Sequence, residues 1–179
     1  MTRYVALFGS INVGGKDRLT MADLRYAFER EEFEDVETVV ASGNVLFSFD
    51  DRPTDGLEDL FAHMMRDRFD IASFVAVRTA DEIRAAMEDN PFNGDGEDKL
   101  VHTQFLACQP APAQFATLLA DYAGRGPERL APGERSLFID YVDGAGNSRL
   151  TGPFIARRLG CEGTARNMSS LRRFLEKMR

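Results

Sequence analysis

The sequence predicts an α+β fold of two related halves: a split βαβ unit, then a βαββα unit packed against it. Three observations carry this. Across residues 1–78, short apolar runs of strand length and stretches of helical period follow in the order strand, helix, strand, strand, helix, strand. Ala41-Ser42-Gly43 ahead of Val45-Leu46-Phe47 is echoed by Ala131-Pro132-Gly133 ahead of Ser136-Leu137-Phe138, as a decayed duplication would leave it. The 179 residues, 44% hydrophobic and 28% charged, have a globular composition and sufficient length to bury a core without staples.

Tyr4-Val5-Ala6-Leu7-Phe8 is a buried-strand run ended by Gly9. Thr20-Met21-Ala22-Asp23 has capping-box spacing and opens a helix whose apolar face is Met21, Leu24 and Phe28. Val36 to Ala41 and Val45 to Phe49 are strands joined around Ser42-Gly43-Asn44, where glycine supplies the positive φ of a tight hairpin. Leu57, Leu60, Phe61, Met64, Met65 and Phe69 recur at helical spacing as a core stripe, and Ile71 to Val77 is the next strand. This order is the ferredoxin-like arrangement and defines a subdomain over 1–78. Residues 79–98 are a helix and linker. Thr79-Ala80-Asp81-Glu82 caps that helix, Pro91 stops it, and Asn93 to Asp98 is polar loop. The second subdomain, 99–179, has strands at Leu100 to Ala107 and Ser136 to Val142, and a loop or short strand at Arg125 to Gly133. Helix stripes run through Phe115, Leu118, Leu119 and Tyr122, from Leu150 to Leu159, and through Leu171, Phe174, Leu175 and Met178.

Charge separates along the chain. Seven basic residues against Glu162 and Glu176 give Ile155 to Arg179 a charge of +5, which leaves −12 for the rest of a chain whose total is −7. The acidic body disfavours a broad nucleic-acid surface. No apolar run approaches the roughly 20 residues of a membrane span, and no signal peptide is evident, so a cytoplasmic location is expected. Cys108 and Cys161 are far apart in sequence with no local partner, and His63 and His102 are isolated, so neither a metal nor a cofactor is expected.

The most distinctive local chemistry is Gly9 to Lys16. It departs from a phosphate-binding P-loop, because Lys16 comes one residue late and Asp17 stands where a hydroxyl is required. Its glycines permit a tight strand-to-helix turn, and Gly14, Gly15 and the Lys16 ammonium are also a candidate anion nest. Asn12, Ser42 and Asn44 offer amide and hydroxyl groups in the same two loops. Arg149 and Arg166 are candidates for gripping a phosphate or carboxylate, against the alternative of surface pairing, and Asn167 or Thr164 suits a helix N-cap. Tyr4, Phe8, Phe47 and Phe49 resemble a base-stacking platform in type, but their alternation sets Phe47 and Phe49 under the helices. No nucleophile elbow or nucleophile–histidine pairing is present.

These residues carry a resemblance. Tyr4-Val5-Ala6-Leu7, Ile11-Asn12-Val13-Gly14-Gly15-Lys16 and Met21-Ala22-Asp23-Leu24-Arg25 resemble the opening of the bacterial domain of unknown function 1697 family. The similarity continues through Ser42-Gly43-Asn44-Val45-Leu46-Phe47, Asn90-Pro91-Phe92, Ser148-Arg149-Leu150-Thr151 and Arg166-Asn167. It implies a compact α+β protein with ferredoxin-like subdomains and no established activity. Gly9-Ser10 replaces the family's frequent Arg-Gly, and Met168-Ser169 replaces its common Trp-Asn. A ligand site using that arginine and tryptophan is therefore altered, with Lys16, Arg149 and Arg166 as the remaining basic candidates. The expected function is a non-catalytic module binding a small anionic or nucleotide-like ligand through Asn12, Gly14, Gly15, Lys16, Ser42, Asn44, Arg149, Arg166 and Asn167. The alternative is a nucleic-acid or protein-interaction module using the basic C-terminal helix with Arg172, Arg173 and Lys177.

Overall fold

Local sequence rules and strand pairing together produce eight strands and six helices among residues 1–9, 19–40 and 43–179, which the computed structural model describes. These residues form two units, Met1–Ile83 with Arg172–Arg179, and Arg84–Leu171.

The first unit runs β1 (Thr2–Gly9), α1 (Met21–Arg30), β2 (Glu34–Thr38), β3 (Asn44–Phe49), α2 (Thr54–Phe69) and β4 (Phe74–Thr79), and α3 (Ala80–Asp89) follows. Its sheet is antiparallel throughout, in the order β2-β3-β1-β4. That is the expected split arrangement, with β3 inserted between β1 and the end of its crossover. Side chains alternate across a strand, so Tyr4, Ala6 and Phe8 share one face with Val45 and Phe47 and pack under Leu24, Phe28, Leu57, Phe61 and Met65. Phe28 and Phe61 stack with ring centres 4.4 Å apart, and Phe47 meets both edge-on. The aromatic residues of β1 and β3 thus form core, not an exposed base-stacking platform.

Both capping boxes form. Thr20 Oγ1 accepts from Asp23 N at 3.0 Å while Asp23 Oδ2 accepts from Thr20 N at 3.3 Å. Thr79 and Glu82 repeat the exchange at 3.2 and 3.0 Å. Each satisfies donors that a helix start leaves open, typically for about 1 kcal/mol. The edge strand β2 slips register between Glu34 and Glu37, and Arg3 Nη1 donates to the Asp35 carbonyl at 2.6 Å. A bulge and three acidic side chains blunt that edge against pairing with another chain.

The second unit runs β5 (Val101–Leu106), α4 (Pro112–Tyr122), β6 (Arg129–Gly133), β7 (Ser136–Asp140), α5 (Gly152–Leu159) and β8 (Gly163–Asn167), and α6 (Met168–Lys177) follows. The sheet order β6-β7-β5-β8 repeats the permutation of the first unit. Leu106, Leu137 and Ile139 face Phe115, Leu118, Ile155 and Leu159 to make its core. The structure adds a fourth strand to the expected βαββα half. Thr164 to Asn167, read from sequence as a polar helix start, belong to β8, which pairs antiparallel with β5 from His102↔Asn167 to Leu106↔Gly163. Gly163, Thr164, Ala165 and Arg166 lack the apolar alternation that marks a half-buried strand, and a partner some 60 residues away in sequence supplies the ladder instead.

Candidate functional site

Of the residues singled out from sequence, Asn12, Gly14, Gly15, Lys16 and Ser42 lie outside the described residues. Asn44 is the first residue of β3, is buried, and faces Leu7 of β1. Its carbonyl accepts from Val39 N at 3.1 Å, while Gly43, at φ 86°, accepts from Phe8 N at 2.8 Å. The hairpin role read for Gly43 and Asn44 is thereby filled.

Arg166 and Asn167 close β8. Thr164 and Arg166 point to the sheet face opposite the α4 and α5 core, because the register pairs Arg166 with Thr103 and Thr103 with Phe138. Arg166 Nη1 donates to Thr164 Oγ1 at 2.6 Å and to the Ala165 carbonyl at 2.9 Å. Burial pulls its pKa down to about 10, which leaves the guanidinium charged at neutral pH. The neighbouring Thr103 side chain is fully buried, and its hydroxyl has no hydrogen-bond partner among the described residues. Asn167 Oδ1 accepts from Ser170 N at 2.9 Å, so Asn167 and not Thr164 caps α6.

Arg149 sits elsewhere. It is exposed on the loop ahead of α5, and its charge acts on Tyr122, in the helix layer on the other side of the sheet from Arg166. The structure therefore does not bring Arg149 and Arg166 to one ligand. It assembles a group that the sequence reading missed. Tyr122 Oη donates to Glu128 Oε2 and Ser148 Oγ donates to Glu128 Oε1, both at 2.5 Å. Ser148 Oγ in turn accepts from Leu150 N at 3.0 Å. Burial pushes the Tyr122 pKa up and the bond to Glu128 adds to it. Burial also pushes Glu128 upward, but the bonds from Ser148 and Tyr122 outweigh it and hold the carboxyl below its ordinary value. Leu119, Tyr122, Gly124, Gly126, Glu128 and Leu130 line an adjacent cavity of about 210 Å³. A signal was present in the sequence: Gly126-Pro127-Glu128 is a turn carrying a carboxylate, and Ser148 belongs to one of the quoted family motifs.

The basic C-terminal face is partly neutralised inside its own unit. Lys177 Nζ lies 2.6 Å from Glu37 Oε1, and that bond is the largest cause lowering the Glu37 pKa. Among the described residues, no three His, Cys, Asp or Glu side chains converge as metal ligands. No helix among them is long and apolar enough to cross a membrane.

Comparison with solved structures gives the conserved bacterial protein SP0830 of Streptococcus pneumoniae, with a TM-score of 0.73 and 22% sequence identity over 99% of each chain. At that identity the likeness establishes a shared fold. No curated protein matches the chain. The model of the family described as "Protein of unknown function (DUF1697)" matches residues 1–138. The matched region takes in Met1–Ile83 of the first unit and the second unit into β7, and on that extent the chain belongs to the DUF1697 family.

Proposed function

We propose that this is a cytoplasmic, non-catalytic module that binds a small anionic ligand, with Arg166 as the principal cationic group. The observation that carries this reading is the buried Thr103 hydroxyl, unpartnered among the described residues and directly cross-strand from Arg166 on the same sheet face. A buried hydroxyl without an acceptor costs about 1–3 kcal/mol, and an anionic oxygen placed beside Arg166 relieves that cost while making charge-assisted bonds. Thr164, on the same face, adds its hydroxyl to the polar surround. On sequence grounds alone the proposal keeps a second anion nest at Asn12, Gly14, Gly15 and Lys16, with Ser42 and Asn44 in the neighbouring hairpin.

The test is a thermal-shift screen against inorganic phosphate, sulfate, nucleotides and phosphorylated metabolites. A ligand that raises the melting temperature of the parent protein should lose its effect in Thr103→Val and in Arg166→Met. Thr103→Val should itself melt no lower than the parent, because it removes an unsatisfied group at nearly constant volume. Lys16→Ala, measured separately, reports on the glycine loop. A flat screen, or a ligand shift that survives both Thr103→Val and Arg166→Met, overturns the role of Arg166.

A further inference from the structure

Cys108 and Cys161 are separated by 53 positions in sequence, yet the fold sets them side by side. The β5–β8 ladder pairs Leu106 with Gly163, and one step further Ala107 N donates to the Glu162 carbonyl at 2.9 Å. The next residues along the two segments are Cys108 and Cys161, just beyond the ladder's end at Leu106 and Gly163. Cys161 Sγ is 4.0 Å from the Cys108 carbonyl oxygen, and the Cys108 side chain is near enough to act on the Cys161 thiol. Both residues are partly exposed, so a small oxidant can reach them.

We infer that Cys108 and Cys161 form a reversible dithiol–disulfide pair, closed within one chain by a peroxide. Burial, with the neighbouring Cys108 side chain adding to it, pushes the Cys161 pKa up to about 11. Oxidation begins at one sulfur of the pair, taken as Cys108. Its sulfur takes one peroxide oxygen, the O–O bond breaks, and the thiol proton leaves with the other oxygen as water, giving a sulfenic acid. The Cys161 sulfur then attacks the Cys108 sulfur and the S–O bond breaks. The Cys161 proton joins the departing hydroxide as a second water. Two thiols are oxidised by two electrons in all, and one peroxide is reduced to two waters. A small thiol restores the pair by exchange.

The bond would tether two helix ends. Cys161 follows Gly160, the left-handed cap of α5, and Cys108 precedes the start of α4. Gln109, Pro110 and Pro112, immediately after Cys108, also line an open groove of about 670 Å³ with Phe115, Leu119 and Pro132. Oxidation state thus acts on one wall of that groove.

The test uses the full-length reduced protein treated with hydrogen peroxide, followed by intact mass and a non-reducing tryptic map. The expected product is lighter by two hydrogen atoms and gives one cross-linked species, Leu100–Arg125 joined to Leu159–Arg166. A reductant should return both peptides, and the oxidised form should melt higher than the reduced one. In Cys161→Ser the reaction should stop at a sulfenic acid on Cys108, trapped by dimedone as an adduct on the Leu100–Arg125 peptide. Overturning results are both thiols still open to alkylation, oxygen added without a cross-link, or a cross-link found only between two chains.

Discussion

The Tyr122 hydroxyl donates to Glu128 Oε2 at 2.5 Å, and through that carboxylate it is coupled to Ser148 on the far side of β6 and β7 in sequence. One side chain thereby ties the end of α4 to two loops. Removing either hydroxyl, as in Tyr122→Phe or Ser148→Ala, should cost about 1 kcal/mol. Glu128→Ala should cost about 2 kcal/mol, since it leaves both donors unsatisfied. Because the two donors share one acceptor, the double variant should depart from additivity by about 0.5 kcal/mol or more. Urea denaturation of the four proteins checks this, and strict additivity would mean that the three groups do not act as one unit.

Gly126 offers a separate probe of the same contact. A Cβ there would meet the Glu128 carboxylate and the Tyr122 hydroxyl, both at the ends of side chains, so the carboxylate swings away and the backbone stays. Gly126→Ala should therefore reproduce the loss seen in Tyr122→Phe, about 1 kcal/mol, and add little to it in combination. Gly146 has open space around its Cβ position, and Gly146→Ala should be neutral within about 0.5 kcal/mol. Equal effects at the two glycines would contradict the contact.

Two groups, besides the partly exposed Glu37 held low by Lys177, shape the acid side of the stability profile. His102 is half-buried against Tyr141, and burial lowers its pKa below the ordinary 6.5 despite the bond to the Leu100 carbonyl. The unfolded chain then binds the proton more readily, so stability present above pH 6.5 declines as pH falls from there towards the folded value. Glu128, also lowered, contributes stability that is complete above its ordinary 4.5 and is lost as pH falls through its folded value. Melting temperature followed from pH 8 to pH 4 should fall in two stages. His102→Gln should remove the upper stage and Glu128→Gln should shrink the lower, to which Glu37 also contributes. An unchanged upper stage in His102→Gln would assign it to another group.

How much was legible in the sequence follows from how local each feature is. The pairs Thr20 with Asp23 and Thr79 with Glu82 lie three residues apart, so their reciprocal caps could be read directly. Alternation along Tyr4, Ala6 and Phe8 named the buried face of β1 before any partner was known. β8 escaped notice because its residues carry no apolar alternation of their own and acquire strand geometry from β5. The candidate site divides in the same way. Arg149, Arg166 and Asn167 were picked out by residue type, whereas Thr103 and Tyr122 have unremarkable local surroundings, and these two and Glu128 gain their meaning from what faces them.

By itself the sequence determined the α+β class, the order of the first six elements, both capping boxes and membership of the family. The first three rest on periodicity, spacing or composition within a short window, and the family on its resemblance in motifs spread along the chain. Tertiary structure alone decided that Arg149 and Arg166 lie on opposite sides of one sheet, that Glu128 joins Tyr122 to Ser148, and that Cys108 meets Cys161. Strand register sets the side on which Arg166 lies and the meeting of the two cysteines. A shift of one residue in the β5–β8 pairing would turn every side chain of β8 to the other face and part the two thiols.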